Sequence, residues 1–349
     1  MIKTILRSGL FIAGLIAGLI FLETYFQLIE FQMPYFELSP IQGKKMLPSK
    51  RIVYFGEGFY MGTTNQYGYL GTPYPKKKDP KKIRIAMIGD SYVEGFQLFD
   101  KYHFARIAER KLNLGLPSPK YEVLNFGVGN YDFNDMMIAY MNYVKEFNPD
   151  VLVFLVKYDD FMSSNNFVPS PVIKPFKDSV IIDYSFTKSK IYKVYKKLSF
   201  AFDNSALVYA ANNAYKISKR KDEIDGILFD KFYTAFRKPS APPEGMSPSF
   251  EAEERFIRSF AWVKDKRCIF LFRSDIPKGL TEKANKMNID VYNVDQALKK
   301  EFTPKGIEYD YWDVTREHGH WNYVAQDFVG DYIYKIILSE RQKMEQSKR

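Results

Sequence analysis

At 349 residues, 46% hydrophobic and 17% aromatic, the chain can bury a sizeable core and is too apolar to be broadly disordered. One α/β domain with an insertion fits that length, as do two small domains. The formal charge of +10, from 51 Lys and Arg against 41 Asp and Glu, gathers in Lys76 to Lys82 (KKKDPKK) and Lys188 to Lys197 (KSKIYKVYKK). No helix-turn-helix or zinc-finger pattern accompanies it, so these runs read as solvated faces near anionic lipid or glycan, with no nucleic-acid partner.

From Ser8 to Leu22 (SGLFIAGLIAGLIFL) there is no charge, and apolar residues continue to Phe31. The segment predicts a single membrane span, with Glu23 near the interface and Tyr25 and Phe26 as aromatic anchors. A cleaved signal peptide is the competing reading, but no small-residue cleavage site stands out, which favours an uncleaved anchor over residues 1–33. Lys3 and Arg7 precede the span, which puts the N-terminus in the cytoplasm and the remainder in the periplasm or outside the cell. Gly14 and Gly18 form a GxxxG spacing that also suits close helix packing; the oligomeric state stays open.

Residues 34–80 read as a Tyr- and Gly-rich connector. Apolar runs at 83–88, 121–126, 151–156, 268–272 and 290–294 then predict strands, with helical spacing at 104–112 and 134–147 between them. That alternation predicts a parallel sheet covered by helices over residues 81–345. Cys268, the one cysteine, lies in the run CIFLF and reads as a small buried hydrophobe that forms no intrachain disulfide. Asn322 is the expected N-cap of a last helix over 323–338. Between about 162 and 250 the rhythm is lost, which marks an insertion. Its cluster Pro239, Pro242, Pro243 and Pro248 predicts a rigid connector, and Ser249 with Glu251, Glu253 and Glu254 a new helix start.

Ser91 follows the first strand, in Gly89-Asp90-Ser91, at the sheet edge where ligands of open α/β sheets bind. A serine nucleophile needs a base, and the histidines are His103, His318 and His320. His103 reads as a partly exposed helical residue. The other two, in Glu317 to Asn322 (EHGHWN), sit where a loop can return an imidazole to the same edge.

GDSY with Gly95, the segment NFGVGNY from Asn125 to Tyr131, and HWN at 320–322 resemble, in order, the blocks of SGNH (GDSL-type) hydrolases. Asn65 to Gly71 (NQYGYLG) resembles the lead-in of membrane-anchored bacterial envelope members. The resemblance spans roughly 65–161 and 269–338. It implies a flavodoxin-like three-layer α/β/α sandwich and hydrolysis or transfer of an ester-linked acyl group, with no cofactor. It makes Ser91 the nucleophile and His320 its base. Glu317 takes the orienting acid in a D-x-x-H alignment, with Asp313 behind it; in the D-G-H-W-N pattern that place falls on His318.

The implied oxyanion donors are the Ser91 N–H, the Asn130 N–H where the family has glycine, and Asp159 where it has asparagine, with Asn165 or Asn166 as substitutes. Two functions follow. One is an esterase or O-acyltransferase acting on an ester of an envelope glycan or glycolipid; the other is an inactive SGNH-like module that binds a glycan or partner through its basic, aromatic insertion.

Overall fold

The computed structural model describes residues 2–29, 35–54, 56–161, 169–176, 179–211, 258–276, 278–287 and 289–346. Asn165, Asn166, the proline cluster and the helix start at Ser249 lie outside the described residues.

The first helix, α1 (Ile2–Leu28), is long and apolar enough over Lys3–Leu28 to cross a bilayer, and an 18-residue window within it has a mean hydropathy of 2.2 with none of it buried. Two antiparallel hairpins follow in the region read as a connector: β1 (Phe36–Ser39) with β2 (Gly43–Met46), and β3 (Arg51–Tyr54) with β4 (Tyr60–Thr63). Their Met46, Ile52 and Tyr60, with Tyr69 and Leu70 of the lead-in, are buried in the main core. The connector is therefore packed into the domain. Its strands are four residues long, too short for an alternating pattern to stand out.

The central sheet contains β5 (Ile83–Gly89), β6 (Tyr121–Gly127), β7 (Val151–Val156), β10 (Arg267–Phe272) and β11 (Ile289–Asn293). All four pairings are parallel, in the order β11-β10-β7-β5-β6. Counted from β5, this is the doubly wound order 2-1-3-4-5, whose switch point lies at the carboxyl end of β5. The intervening β8 (Val172–Phe176) and β9 (Ser179–Asp183) form a separate hairpin within the insertion, followed by helix α5 (Lys190–Asn204).

Alternate residues of each strand enter opposite cores because successive side chains point to opposite faces. Ala86, Ile88, Leu152, Phe154 and Phe270 pack on one side with Met136 and Met137 of α4 (Phe133–Asn142) and Leu280 of α6 (Lys278–Lys286). Ile85, Met87, Val153, Ile269 and Leu271 pack on the other. There they meet Phe104 and Ala108 of α3 (Phe104–Asn113), Leu298 of α7 (Val294–Phe302), and Val329 and Ile333 of α8 (Tyr323–Gln346). The result is a three-layer α/β/α sandwich, and Cys268 is buried in it.

The helix expected over 134–147 breaks at Tyr143, whose φ of −133° leaves the helical region; a 3-10 turn Val144–Phe147 follows and Asn148 closes it at φ 47°. The last strand ends one residue early because the Asn293 side chain accepts from the Gln296 N–H and starts α7.

Candidate active site

Ser91 opens a single helical turn, α2 (Ser91–Glu94), at the carboxyl end of β5. Asp90 caps that turn by accepting from the Tyr92 N–H at 3.1 Å, and Gly95 ends it in the left-handed region at φ 81°. A Cβ at Gly89 would overlap the side chain of Val93, so only glycine lets the turn fold back this tightly onto its strand.

The two ring nitrogens of His320 have separate partners. Nε2 lies 2.7 Å from Ser91 Oγ. Nδ1 lies 2.9 and 2.8 Å from the two carboxylate oxygens of Glu57. With Nδ1 protonated and donating to Glu57, Nε2 is left as the acceptor for the serine proton. Tyr92 covers the imidazole at 4.5 Å, and Trp312 Nε1 donates to the His320 carbonyl at 2.7 Å. Asn322 caps α8, its Oδ1 accepting from the Val324 and Ala325 N–H groups. Trp321 packs edge-on against Tyr92. The loop before α8 is thus fastened on both sides of His320.

Glu57 stands between Gly56 and Gly58 in the loop joining β3 to β4, and both glycines admit close neighbours: Tyr54 at the first, Gln97 and Trp312 at the second. A third glycine, Gly319, leaves the room that the Glu57 carboxylate fills. Glu317, expected as the orienting acid, instead lies exposed on β13 (Glu317–His318), paired with Trp312 of β12 (Tyr311–Trp312). It makes no hydrogen bond with His320, because the space beside Nδ1 is already taken. Asp313 is exposed as well. His318 bonds Asp310 at 2.7 Å, and that bond raises its pKa.

His103, expected to be partly exposed, is buried. Its Nδ1 accepts from the Ala105 N–H at the start of α3, and its Nε2 faces the Tyr92 carbonyl at 3.3 Å. Burial depresses its pKa to about 3. It is a neutral helix cap beneath the Ser91 turn.

Asn130, expected to be an oxyanion donor, is in the left-handed region at φ 66°, which asparagine tolerates better than most residues. The preceding residue, Gly129, is held on both sides: its N–H, in the Val128–Gly129 peptide, donates to Glu94 at 2.9 Å, and its carbonyl, in the Gly129–Asn130 peptide, accepts from Lys44 Nζ at 3.1 Å. In a trans peptide the carbonyl and the next N–H point oppositely. Lys44 therefore fixes the direction of the Asn130 N–H.

Asp159 is exposed on the 3-10 turn Tyr158–Phe161 and has no hydrogen bond with Ser91 or Asn130. Its neighbour Asp160 is the buried one, accepting from the Lys157 N–H at 2.8 Å. Burial, reinforced by the charge of Asp90, raises the Asp160 carboxyl to about 7. Arg273, just past β10, pairs with Asp90 and lies 4.2 Å over the Tyr92 ring. Burial opposes its charge, yet Asp90 and Asp160 hold its pKa above the usual arginine value.

No family model and no curated protein matches this chain. Among solved structures it is similar to a lipolytic protein of the G-D-S-L family from Desulfitobacterium hafniense DCB-2, at 10% identity and a TM-score of 0.35, covering 73% of this chain and 99% of that one. It is also similar to the lipase/acylhydrolase from Enterococcus faecalis, at 10% and 0.39, covering 74% and 96%. The acetyl xylan esterase AlAXEase gives 14% and 0.39, covering 73% and 100%.

Proposed function

We propose that this chain is a membrane-anchored, extracytoplasmic serine esterase or O-acyltransferase of the SGNH type, acting on an ester of an envelope glycan or glycolipid. The observation that carries the reading is the hydrogen-bonded series Ser91 Oγ, His320 Nε2, His320 Nδ1 and Glu57. Nucleophile, base and orienting acid follow one another at hydrogen-bond distance, as serine catalysis requires.

His320 Nε2 takes the Ser91 proton as Oγ bonds to the ester carbonyl carbon, and the carbonyl electron pair moves onto oxygen. Glu57 balances the imidazolium and holds its orientation. The Ser91 N–H, first of its helical turn and without an intrahelical acceptor, and the Asn130 N–H stabilise the oxyanion. When the tetrahedral intermediate collapses, the ester C–O bond breaks and the leaving alcohol takes the proton from Nε2. An acyl group then remains on Ser91 Oγ. His320 next deprotonates the acceptor, whose oxygen bonds to the acyl carbon; the Oγ–acyl bond then breaks and Oγ recovers the proton from Nε2, so that water gives an esterase and a sugar hydroxyl an O-acyltransferase.

The anchor narrows the substrate class. If Lys3 and Arg7 stay in the cytoplasm, the domain meets envelope polymers and lipid-linked glycans, whose hydroxyls carry acyl esters. The test uses the full chain in detergent. A fluorophosphonate probe should label Ser91 stoichiometrically, and Ser91→Ala and His320→Ala should each abolish turnover of a small acetyl ester. Turnover that persists in either variant overturns the mechanism. Absence of labelling favours the non-catalytic glycan-binding reading.

A further inference from the structure

We propose that residues 190–211 form a membrane-surface element, in which α5 lies against anionic phospholipid headgroups and the helical residues 206–211 lodge beside the outer end of the anchor. The proposal rests on the reading that α1 spans a bilayer.

Glu23 sits near the end of α1, about 7 to 8 Å before Leu28 at the rise of an α-helix. Its carboxylate accepts from Ser205 Oγ at 2.7 Å, Ala206 N at 2.9 Å and Leu207 N at 3.0 Å. The anchor's one outer acidic group within the helix thus caps helix 206–211 and fixes that helix at the depth where the span leaves the hydrocarbon. The capped sequence, ALVYAA, has no charge, and Val208 is 38% exposed although apolar. At that depth lipid, rather than water, is the neighbour this composition suits. Tyr209 meets Tyr35, and Tyr35 meets Phe96, just past the nucleophile turn. The element is therefore fastened to the catalytic domain as well as to the anchor.

Only Ser205 separates this helix from α5. Tyr192 and Ser199 of α5 are buried, while Lys190, Lys193, Lys196 and Lys197 are exposed. Spaced at three and four residues, these lysines share one helix face, and Lys188 precedes them. None of the five makes an ion pair among the described residues. The other basic run differs: its Lys76 and Lys78 pair with Glu146 and Asp150. Positive charge without an ion-pair partner among the described residues is thus carried on the helix that leads into the segment capped by Glu23, where a negative lipid surface would attract it.

The full chain would be placed in nanodiscs of phosphatidylcholine alone and of phosphatidylcholine with phosphatidylglycerol, then pulsed with an amine-acylating reagent read by mass spectrometry. Lys193, Lys196 and Lys197 should react about threefold or more slowly in the anionic discs, with the protection lost at high salt. Lys283 and Lys300 should react equally in both. A spin label on Val208→Cys, in a chain whose natural Cys268 is buried, should collide more with oxygen than with a water-soluble nickel chelate. Equal lysine rates in the two discs, protection that appears only with an added acidic glycan, or a water-exposed label at 208 each overturns the proposal while leaving the anchor intact. A chain that fails to co-elute with discs of either composition overturns the anchor and the proposal together.

Discussion

The Glu57 carboxylate spans Nδ1 of His320 with both oxygens within 2.9 Å, although 263 residues separate the two in the chain. This contact sets the imidazole tautomer, so its loss should appear in the chemical step. Glu57→Gln, which keeps the size but removes the charge, should lower kcat about a hundredfold to ten-thousandfold while KM stays nearly constant. Glu317→Gln should stay within about twofold of the parent, as exposed substitutions generally do. Steady-state kinetics on an acetyl ester compares the two, and the reverse ranking would restore Glu317 as the orienting acid.

What was legible beforehand followed from periodicity and from local motifs. The sheet strands are five to seven residues long and predominantly apolar, and Ser91, His320 and Asn322 stand in short blocks with turn and cap chemistry of their own. Glu57 stands in no such block. A glutamate between two glycines in a hairpin loop has no periodic signal, and its partner is reached only through tertiary folding. That Asp160 is buried while Asp159, the residue expected at the site, is exposed was equally hidden, because adjacent residues of a 3-10 turn face different ways and only packing decides which one is buried. His103 resembled a surface helical residue until the tight Gly95 turn placed it beneath Tyr92.

The raised pKa of Asp160 makes stability depend on pH in a stated direction. Between about pH 4, where an unfolded aspartic acid titrates, and about 7, where the folded carboxyl does, the native state binds more protons than the unfolded chain. Stability therefore falls as pH rises through this window. Asp160→Asn keeps an acceptor for the Lys157 N–H and removes the titration. Urea-unfolding midpoints at pH 5 and pH 8 should then converge in the variant relative to the parent. An unchanged difference would show that Asp160 ionises as an ordinary carboxyl.

His103 has the opposite sign. An unfolded histidine gains its proton near pH 6.5, whereas the buried one resists protonation until about 3. The stability it contributes is present above 6.5 and is lost as pH falls towards 3. His103→Ala should cost about 1–2 kcal/mol at neutral pH through the lost cap and flatten the acid side of the stability profile. Fluorophosphonate labelling of Ser91 should survive in this variant and fail in His320→Ala. Loss of labelling in both would mean that the Ser91 turn depends on the His103 contact with Tyr92.

Lys44 makes the most indirect contribution to the proposed chemistry. The residue is buried, and its ammonium lies 4.0 Å over the Phe36 ring and donates to the Gly129 carbonyl. That peptide's other end is the Asn130 N–H, so the lysine both aims the donor and polarises the amide carrying it. Lys44→Met keeps the bulk against Phe36 but frees the peptide to turn. A misdirected oxyanion donor weakens transition-state binding alone, so kcat should fall about tenfold to a hundredfold with KM little changed. Inhibition by a trifluoromethyl ketone, which forms a tetrahedral adduct, should weaken in proportion to the fall in kcat/KM. Lys44→Arg, which retains a cation and a donor, should recover part of both. If Lys44→Met lowers only the melting temperature, with kcat and inhibitor affinity intact, the lysine serves packing and the Asn130 N–H is positioned without it.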